Sequence, residues 1–165
     1  MVRNLVLMRF VPLNVNSGLL ALRLVGAAPL FLKHGLEKVL TFSAMADHFP
    51  DPLHIGSVPS LVIAMLGDFV CSVLIILGLS TRWAALFAFL NVVVAWAFVH
   101  HFAFFGRLGE HGELMVLYLA VLLGLFFSGA GKYSVDALLT RRSVGKTCEF
   151  ISSHQRGEEV RTLSS

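Results

Sequence analysis

The chain contains little charge. Only 14% of its 165 residues are Asp, Glu, Lys or Arg, whereas 56% are apolar. Soluble domains average about 25% charged residues, so this scarcity argues against a soluble fold. The formal net charge is only +3, and the basic residues flank apolar stretches without forming a stripe. Lipid headgroups therefore explain these residues better than nucleic acid does, and no nucleic-acid partner is predicted.

Cysteine is scarce too. Cys71 and Cys148 are the only two, and no CxxC pattern is present, which excludes a thioredoxin-like redox motif and a c-type haem attachment. The chain also lacks an HExxH pattern and clustered cysteines, so no metal site is predicted. The first residues are interrupted by Arg3, Arg9 and Pro12, and we therefore do not expect a cleaved signal peptide.

Long apolar runs fill the rest of the chain. A helix needs about 20 mostly apolar residues to cross a bilayer. Four stretches qualify or nearly qualify, and the second and third are joined by a very tight turn at Gly78–Thr81. The sequence therefore predicts an all-α fold, a four-helix transmembrane bundle formed by residues 17–140. Its predicted spans are residues 17–40, 58–79, 83–105 and 112–128.

The segments that flank the spans set the expected topology. Nine of the 13 basic residues fall on the side of the N-terminus, so the positive-inside rule predicts that both termini are cytoplasmic. Residues 1–16 then form a cytoplasmic N-terminal segment. Ser134 is expected to cap a short interfacial helix over residues 135–140. Residues 141–165 are polar and are expected to form a disordered cytoplasmic tail.

Three charged residues interrupt the apolar runs, namely Arg23, Asp68 and Glu113. A charge near the bilayer centre costs roughly 2.5–3.5 kcal/mol on insertion scales, so such groups face the bundle interior or a wet cavity. Arg23 and Asp68 fall at similar depth, and we predict that they form an ion pair with Glu113 nearby. The three are the candidate catalytic residues. The pair could fix the helix register, or it could line a cavity for a quinone, a small anion or protons.

Helical spacing gathers further polar residues at the outer end of the bundle. At 100° per residue, Lys33 and His34 share the face of Arg23. On the third helix, His101 falls on the face of Asn91, whereas His100 points away. Lys33, His34 and His101 are the candidate cofactor-binding residues. The two histidines could ligate haem b or a metal, or they could be solvated interfacial groups.

Proline adds one more expectation about the first helix. Pro29 lacks a backbone N–H and should therefore kink this helix just above Arg23. A kink at this depth could open a cavity, although kinks without a function are common.

The order of short motifs resembles the DoxX family of small four-helix membrane proteins. Glu113 opens the fourth helix as the acid of that family does, and the resemblance covers about residues 17–140. The sequence departs from the family pattern at Asp68, where Glu is more usual, and at Ala130, where Pro is common. The other matching motifs are Leu22–Gly26, Phe31–Lys38, Gly78–Arg82 and Gly129–Asp136.

The resemblance implies an inner-membrane protein and links it to thiosulfate:quinone oxidoreduction or to membrane complexes that handle oxidative and thiol stress.

Three functions follow as hypotheses. In the first, the chain is a quinone-binding subunit of a redox complex. Arg23 orients a quinone oxygen or an anion, and Asp68 or Glu113 exchanges protons. The electrons come from a partner, such as a soluble redox enzyme, or from a thiol substrate. In the second, it is a scaffold that recruits soluble enzymes. In the third, it is a small-solute transporter that works as a homo-oligomer.

Overall fold

The computed structural model describes residues 14–102 and 112–141, and this part of the chain contains helices and turns but no strand. Three helices are long and apolar enough to cross a membrane: α1 (Val15–Leu40), α3 (Ser57–Leu77) and α4 (Thr81–Val99). A shorter apolar helix, α5, spans Gly112–Ser128. The short helix α2 (Phe42–Met45) lies between α1 and α3, and α6 covers residues 135–141. The prediction of an all-α fold is confirmed.

The helix bounds differ from the predicted ones mainly at the end of α4. The prediction placed this end at residue 105, but the helix ends at Val99. His101 and Phe102 have φ values of 48° and 55°, and left-handed residues of this kind cannot continue a right-handed helix. Residues 1–13 of the predicted N-terminal segment 1–16 and residues 142–165 of the predicted tail 141–165 lie outside the described residues.

Two turns at one end of the bundle follow local rules. Gly78 ends α3 with φ +72°, and the Leu79 N–H donates to the Leu74 carbonyl at 2.9 Å, as expected for a left-handed glycine cap. At α6, the Ala137 N–H donates to Ser134 Oγ at 3.1 Å. The predicted cap at Ser134 is therefore confirmed.

The surface and the core are both those of a membrane protein. Large apolar side chains are widely exposed, with Trp83 at 74% and Phe127 at 70%, far beyond the scattered exposure usual on soluble proteins. Ala84, Ala85 and Ala88 are buried on α4, and such small residues let neighbouring helices approach closely. Arg23, in contrast, is fully buried.

Each of the three long helices contains a π-helical segment: Leu30–Gly35 in α1, Leu66–Val70 in α3 and Ala95–Val99 in α4. Pro29 directly precedes the first segment, so the irregularity expected at this proline takes the form of a wider turn. The first two segments pack against each other. Because π-bulges often occur at functional sites, this level of the bundle is a candidate for a functional site.

Candidate functional site

The buried carboxylate of Asp68 lies where three helices meet. It belongs to the π-helical segment of α3, and the residue is only 6% exposed. Lys38 Nζ on α1 donates to Asp68 Oδ2 at 2.7 Å, and Asn91 Nδ2 on α4 donates to Asp68 Oδ1 at 2.8 Å. The Lys38–Asp68 contact is the one ion pair found among residues 14–102 and 112–141. Both carboxylate oxygens are thus engaged by side chains.

The predicted ion pair between Arg23 and Asp68 is wrong. Helical side chains point back toward the N-terminus of their own helix. From the end of α1, Lys38 therefore reaches down to the level of Asp68. Arg23 reaches away from Asp68 instead, and its Nη2 donates to the Tyr133 carbonyl.

Two glycines give the helices room to meet at Asp68. A Cβ on Gly35 would lie 2.8 Å from the Asp68 carbonyl oxygen and from Phe69 Cα. A Cβ on Gly67 would lie 2.6 Å from Asn91 Nδ2. Cβ atoms do not approach other heavy atoms this closely. Any other residue at Gly35 would therefore push α1 and α3 apart, and any other residue at Gly67 would displace the Asn91 side chain.

A cavity of about 530 Å³ opens beside Asp68. It lies toward the end of the bundle that carries the connection 41–56, which we call the loop end. Its volume falls in the range of small-molecule sites, roughly 300–1,000 Å³. The walls are mainly apolar, and the polar residues among them are His34, Glu37, Lys38, His48, Ser60, Asp68, Asn91, His100 and Tyr118.

The connection 41–56 covers the cavity and is organised by Asp51. The Asp51 carboxylate accepts hydrogen bonds from the backbone N–H groups of Ile55 and Gly56, at 3.0 and 2.7 Å, and from Ser60 Oγ at 2.7 Å. These bonds, the one from Ser60 first, lower the pKa of Asp51 below its ordinary value. Held in this way, the connection contributes Met45, His48, Phe49 and Leu53 to the cavity wall.

Five of the six predicted site residues separate into two groups. His34 and Asp68 line the cavity, and His34 Nε2 is buried without a hydrogen-bond partner among the described residues. Lys33 and His101 are exposed and are not among the lining residues, and the same holds for Glu113 in the first turn of α5.

The predicted face of the third span is wrong by one residue, because His100 and not His101 lines the cavity with Asn91. The His100 N–H donates to the Ala95 carbonyl at 3.1 Å, five residues back, so the π-turn adds a residue and rotates the face that follows.

Sequence reasoning also missed the roles of Lys38, Asn91 and Tyr118. An amide inside an apolar run was the available signal for Asn91. Lys38 follows His34 by one helical turn and could have been placed on the same face.

Arg23 lies at the opposite end of the bundle, in a group of contacts that we call the clasp. The clasp comprises Arg23, the turn Gly78–Thr81 and residues 129–136. The Asp136 carboxylate accepts from the N–H groups of Ser80 and Thr81, at 2.9 and 3.4 Å, and the Asp136 N–H donates to the Gly78 carbonyl at 3.1 Å. With its bond to the Tyr133 carbonyl, Arg23 ties α1 to the segment that follows α5.

Gly78 also makes the clasp possible sterically. A Cβ at this position would collide with Arg23 Nη1 and with Ser134. The guanidinium is thus seated against bare backbone. One more bond joins the clasp to α1, since the Lys132 N–H donates to Asn16 Oδ1 at 2.9 Å.

The cavity can hold a ligand with an apolar body and a polar group that meets the Asp68 cluster. No group of three or more His, Cys, Asp or Glu residues in the described part of the chain is placed to hold a metal ion. The mainly apolar wall and the hydrogen-bonding groups around Asp68 suit an apolar molecule with a hydrogen-bonding head.

Apolar helices with lipid-facing surfaces around a charged cavity define a multi-pass membrane protein. The DoxX family model matches residues 18–101, and the chain belongs to the DoxX family. The chain is similar to two uncharacterized proteins of Haemophilus influenzae. One is 31% identical over 117 residues, which cover 67% of this chain and 76% of the relative. The other is 35% identical over 118 residues, covering 70% and 85%. No solved structure gives a significant match.

The motifs that carry the family resemblance divide between the two ends of the bundle. Leu22–Gly26 supplies Arg23, and Gly78–Arg82 and Gly129–Asp136 supply its partners, so these three meet at the clasp. Phe31–Lys38 instead supplies His34, Gly35 and Lys38 to the cavity region.

Proposed function

We propose that the protein is a four-span inner-membrane protein with cytoplasmic termini, and that its cavity binds the headgroup of a quinone within a membrane redox complex. The observation that carries this proposal is the Asp68 carboxylate, held by Lys38 and Asn91 at the wall of a largely apolar cavity.

The donor set suits a quinone. A quinone has a flat apolar ring, two carbonyl oxygens that accept hydrogen bonds, and a need for protons when it is reduced. Lys38 Nζ has three N–H donors, of which Asp68 and the His34 carbonyl take two, so one remains for a ligand oxygen. Asp68 and His34 are titratable groups beside it and can exchange protons with the ligand.

Exposed charge supports the proposed orientation. Arg82, Lys132 and Arg141 are exposed at the clasp end, and cytoplasmic surfaces of membrane proteins are rich in such residues. Trp83 and Tyr133 are exposed at the same end, where amphipathic rings anchor a protein at the headgroup level. In this orientation the loop end, with the cavity, faces outward.

Electrons would have to come from a partner, because the sequence contains no recognisable flavin, haem or iron–sulfur motif. The exposed basic residues of the clasp end offer a docking face for a soluble redox enzyme with an acidic surface. The same face favours the scaffold function as a second candidate. Glu113, exposed where α5 begins at the loop end, is a candidate for passing protons to water.

Quinone binding tests the proposal directly. The purified full chain in lipid nanodiscs would be titrated calorimetrically with ubiquinone-1 and with menadione. We expect binding by the native protein and about 10-fold or greater weakening in Asp68→Asn. Without the Asp68 charge, Lys38 is no longer held in place, and its hydrogen bond to the ligand oxygen, which as a bond from a charged group contributes about 1.5–3 kcal/mol, is lost. Asp47→Asn is the matched control, since Asp47 is exposed on the connection 41–56 and does not line the cavity. Absence of binding, or equal loss in both variants, would refute the proposal.

A further inference from the structure

Among residues 14–102 and 112–141, the polar groups that share the cavity with Asp68 lie beside it or toward the loop end. Lys38 and Asn91 contact its carboxylate, and His34 and Tyr118 face the same cavity. Farther toward the loop end, the cavity is lined by Glu37 and His48, which are exposed, and by His100, which is half-buried. Polar groups therefore lie at intervals between Asp68 and water on this side.

The opposite side of Asp68 is closed by apolar side chains from four helices. Ala27 on α1, Ile75 on α3, Ala88 on α4 and Leu122 on α5 belong to one core cluster, and none is more than 2% exposed. Each lies one or two turns toward the clasp end from the residue that its helix contributes at the level of Asp68. Cys71 and Ser72, the nearest polar side chains of α3 in that direction, are buried as well.

A fixed positive charge stands beyond this apolar layer. Arg23 is fully buried, and its guanidinium is held at the clasp by the Tyr133 carbonyl. An arginine in this position opposes the passage of protons and other cations electrostatically, as charged side chains do in selective pores. The clasp end thus presents two successive barriers, the first apolar and the second electrostatic.

We infer that Asp68 exchanges protons with the loop end alone, through the water-accessible cavity, and is sealed from the clasp end. The carboxyl is then a one-sided proton acceptor and donor. The assignment of the loop end to the outer face of the membrane rests on the proposed function. If a quinone binds in the cavity, its protons enter and leave on that face.

Cysteine accessibility tests the sealed side. In a background of Cys71→Ala and Cys148→Ala, single variants Ala64→Cys and Ser72→Cys would be reconstituted in vesicles of one orientation. Ala64 lines the cavity, whereas Ser72 is fully buried one turn toward the clasp end. A charged methanethiosulfonate reagent would then be added to one face at a time, with labelling in denaturing detergent as the control for a free thiol.

We expect Ala64→Cys to react with reagent added at the loop end and not with reagent added at the clasp end. Ser72→Cys should react from neither side. Reaction of either variant from the clasp end would overturn the inference. Failure of Ala64→Cys to react from the loop end would overturn it equally.

Infrared spectroscopy tests proton exchange itself. The carbonyl stretch of the protonated Asp68 carboxyl is isolated by subtracting the spectrum of Asp68→Asn, and the pH is stepped on one face of the oriented vesicles. We expect the band to respond to a step at the loop end and not to one at the clasp end; a response to the clasp end refutes one-sided exchange. Neither experiment contains a quinone. Failure of one-sided proton exchange and failure of quinone binding are therefore distinguishable results.

Discussion

The two ends of the bundle hold their charged side chains in different ways. At the clasp end, Arg23 and Asp136 bond to backbone groups, namely the Tyr133 carbonyl and the N–H groups of the turn. At the loop end, Asp68 bonds to two side chains and faces a cavity. Backbone partners at helix ends are fixed by the fold, whereas side-chain partners can rearrange around a ligand. Under the proposed function, Arg23 therefore serves the structure and Asp68 serves binding.

The largest effect is expected from a substitution that breaks the clasp. In Gly78→Ala the backbone of the new alanine must keep φ +72°, and its methyl group must displace Arg23 Nη1. Left-handed strain of about 1–2 kcal/mol and overpacking of about 1–3 kcal/mol predict a loss of about 2–5 kcal/mol in the free energy of unfolding. Denaturant unfolding of the purified protein measures it. Gly18→Ala is the control, because nothing lies within 4 Å of its Cβ; equal loss in both variants would contradict the clasp.

The next largest effect is expected from a substitution that breaks the Asn91–Asp68 contact at the loop end and leaves the clasp intact. Gly67→Ala places a Cβ 2.6 Å from Asn91 Nδ2 and so drives the amide from Asp68. We expect a loss of about 1–3 kcal/mol in stability together with loss of quinone binding, measured by the same unfolding and calorimetry. In Gly124→Ala the nearest neighbour is Leu22 Cδ2 at 4.0 Å, so both properties should be retained. Intact quinone binding in Gly67→Ala would mean that Asn91 is dispensable.

A smaller effect at the clasp end concerns the cap of α4. The Asp136 carboxylate accepts from the first N–H groups of this helix, as a capping residue does. Its replacement in Asp136→Ala should cost about 0.5–2 kcal/mol in the free energy of unfolding and leave quinone affinity unchanged. Asp136→Asn keeps one acceptor oxygen and should lose less. A large fall in quinone affinity would show that the two ends are coupled.

The smallest effect concerns the connection over the cavity and depends on pH. Because hydrogen bonds lower the pKa of folded Asp51 below its ordinary 3.8, the charged form is favoured by folding. Its stabilisation is complete well above pH 3.8 and disappears as the pH falls through the lower, folded value. The difference in unfolding midpoint between the native protein and Asp51→Asn should therefore be constant near neutral pH and vanish in acid. A difference that grows in acid would contradict this assignment.

The sequence predicted the helices better than it predicted their contacts. Apolar runs located the long helices, and Ser134 was recognisable as a cap because its rule is local. The partner of Asp68 was not predictable from depth alone, since the direction of each side chain along its helix decides it: Lys38 points toward Asp68 and Arg23 points away. The place of His100 depended on a π-turn at Ala95–Val99, which no residue pattern in the sequence announces.

The most direct test compares one variant from each end in a single thermal measurement. A ligand that binds only the folded protein raises its unfolding midpoint, so ubiquinone-1 would be added at saturation to Asp68→Asn and Asp136→Ala. We predict that Asp136→Ala unfolds at a lower temperature but keeps the full upward shift with quinone, and that Asp68→Asn loses the shift. A full shift in Asp68→Asn, or loss of the shift in both, would contradict the separation of a structural clasp from a binding cavity.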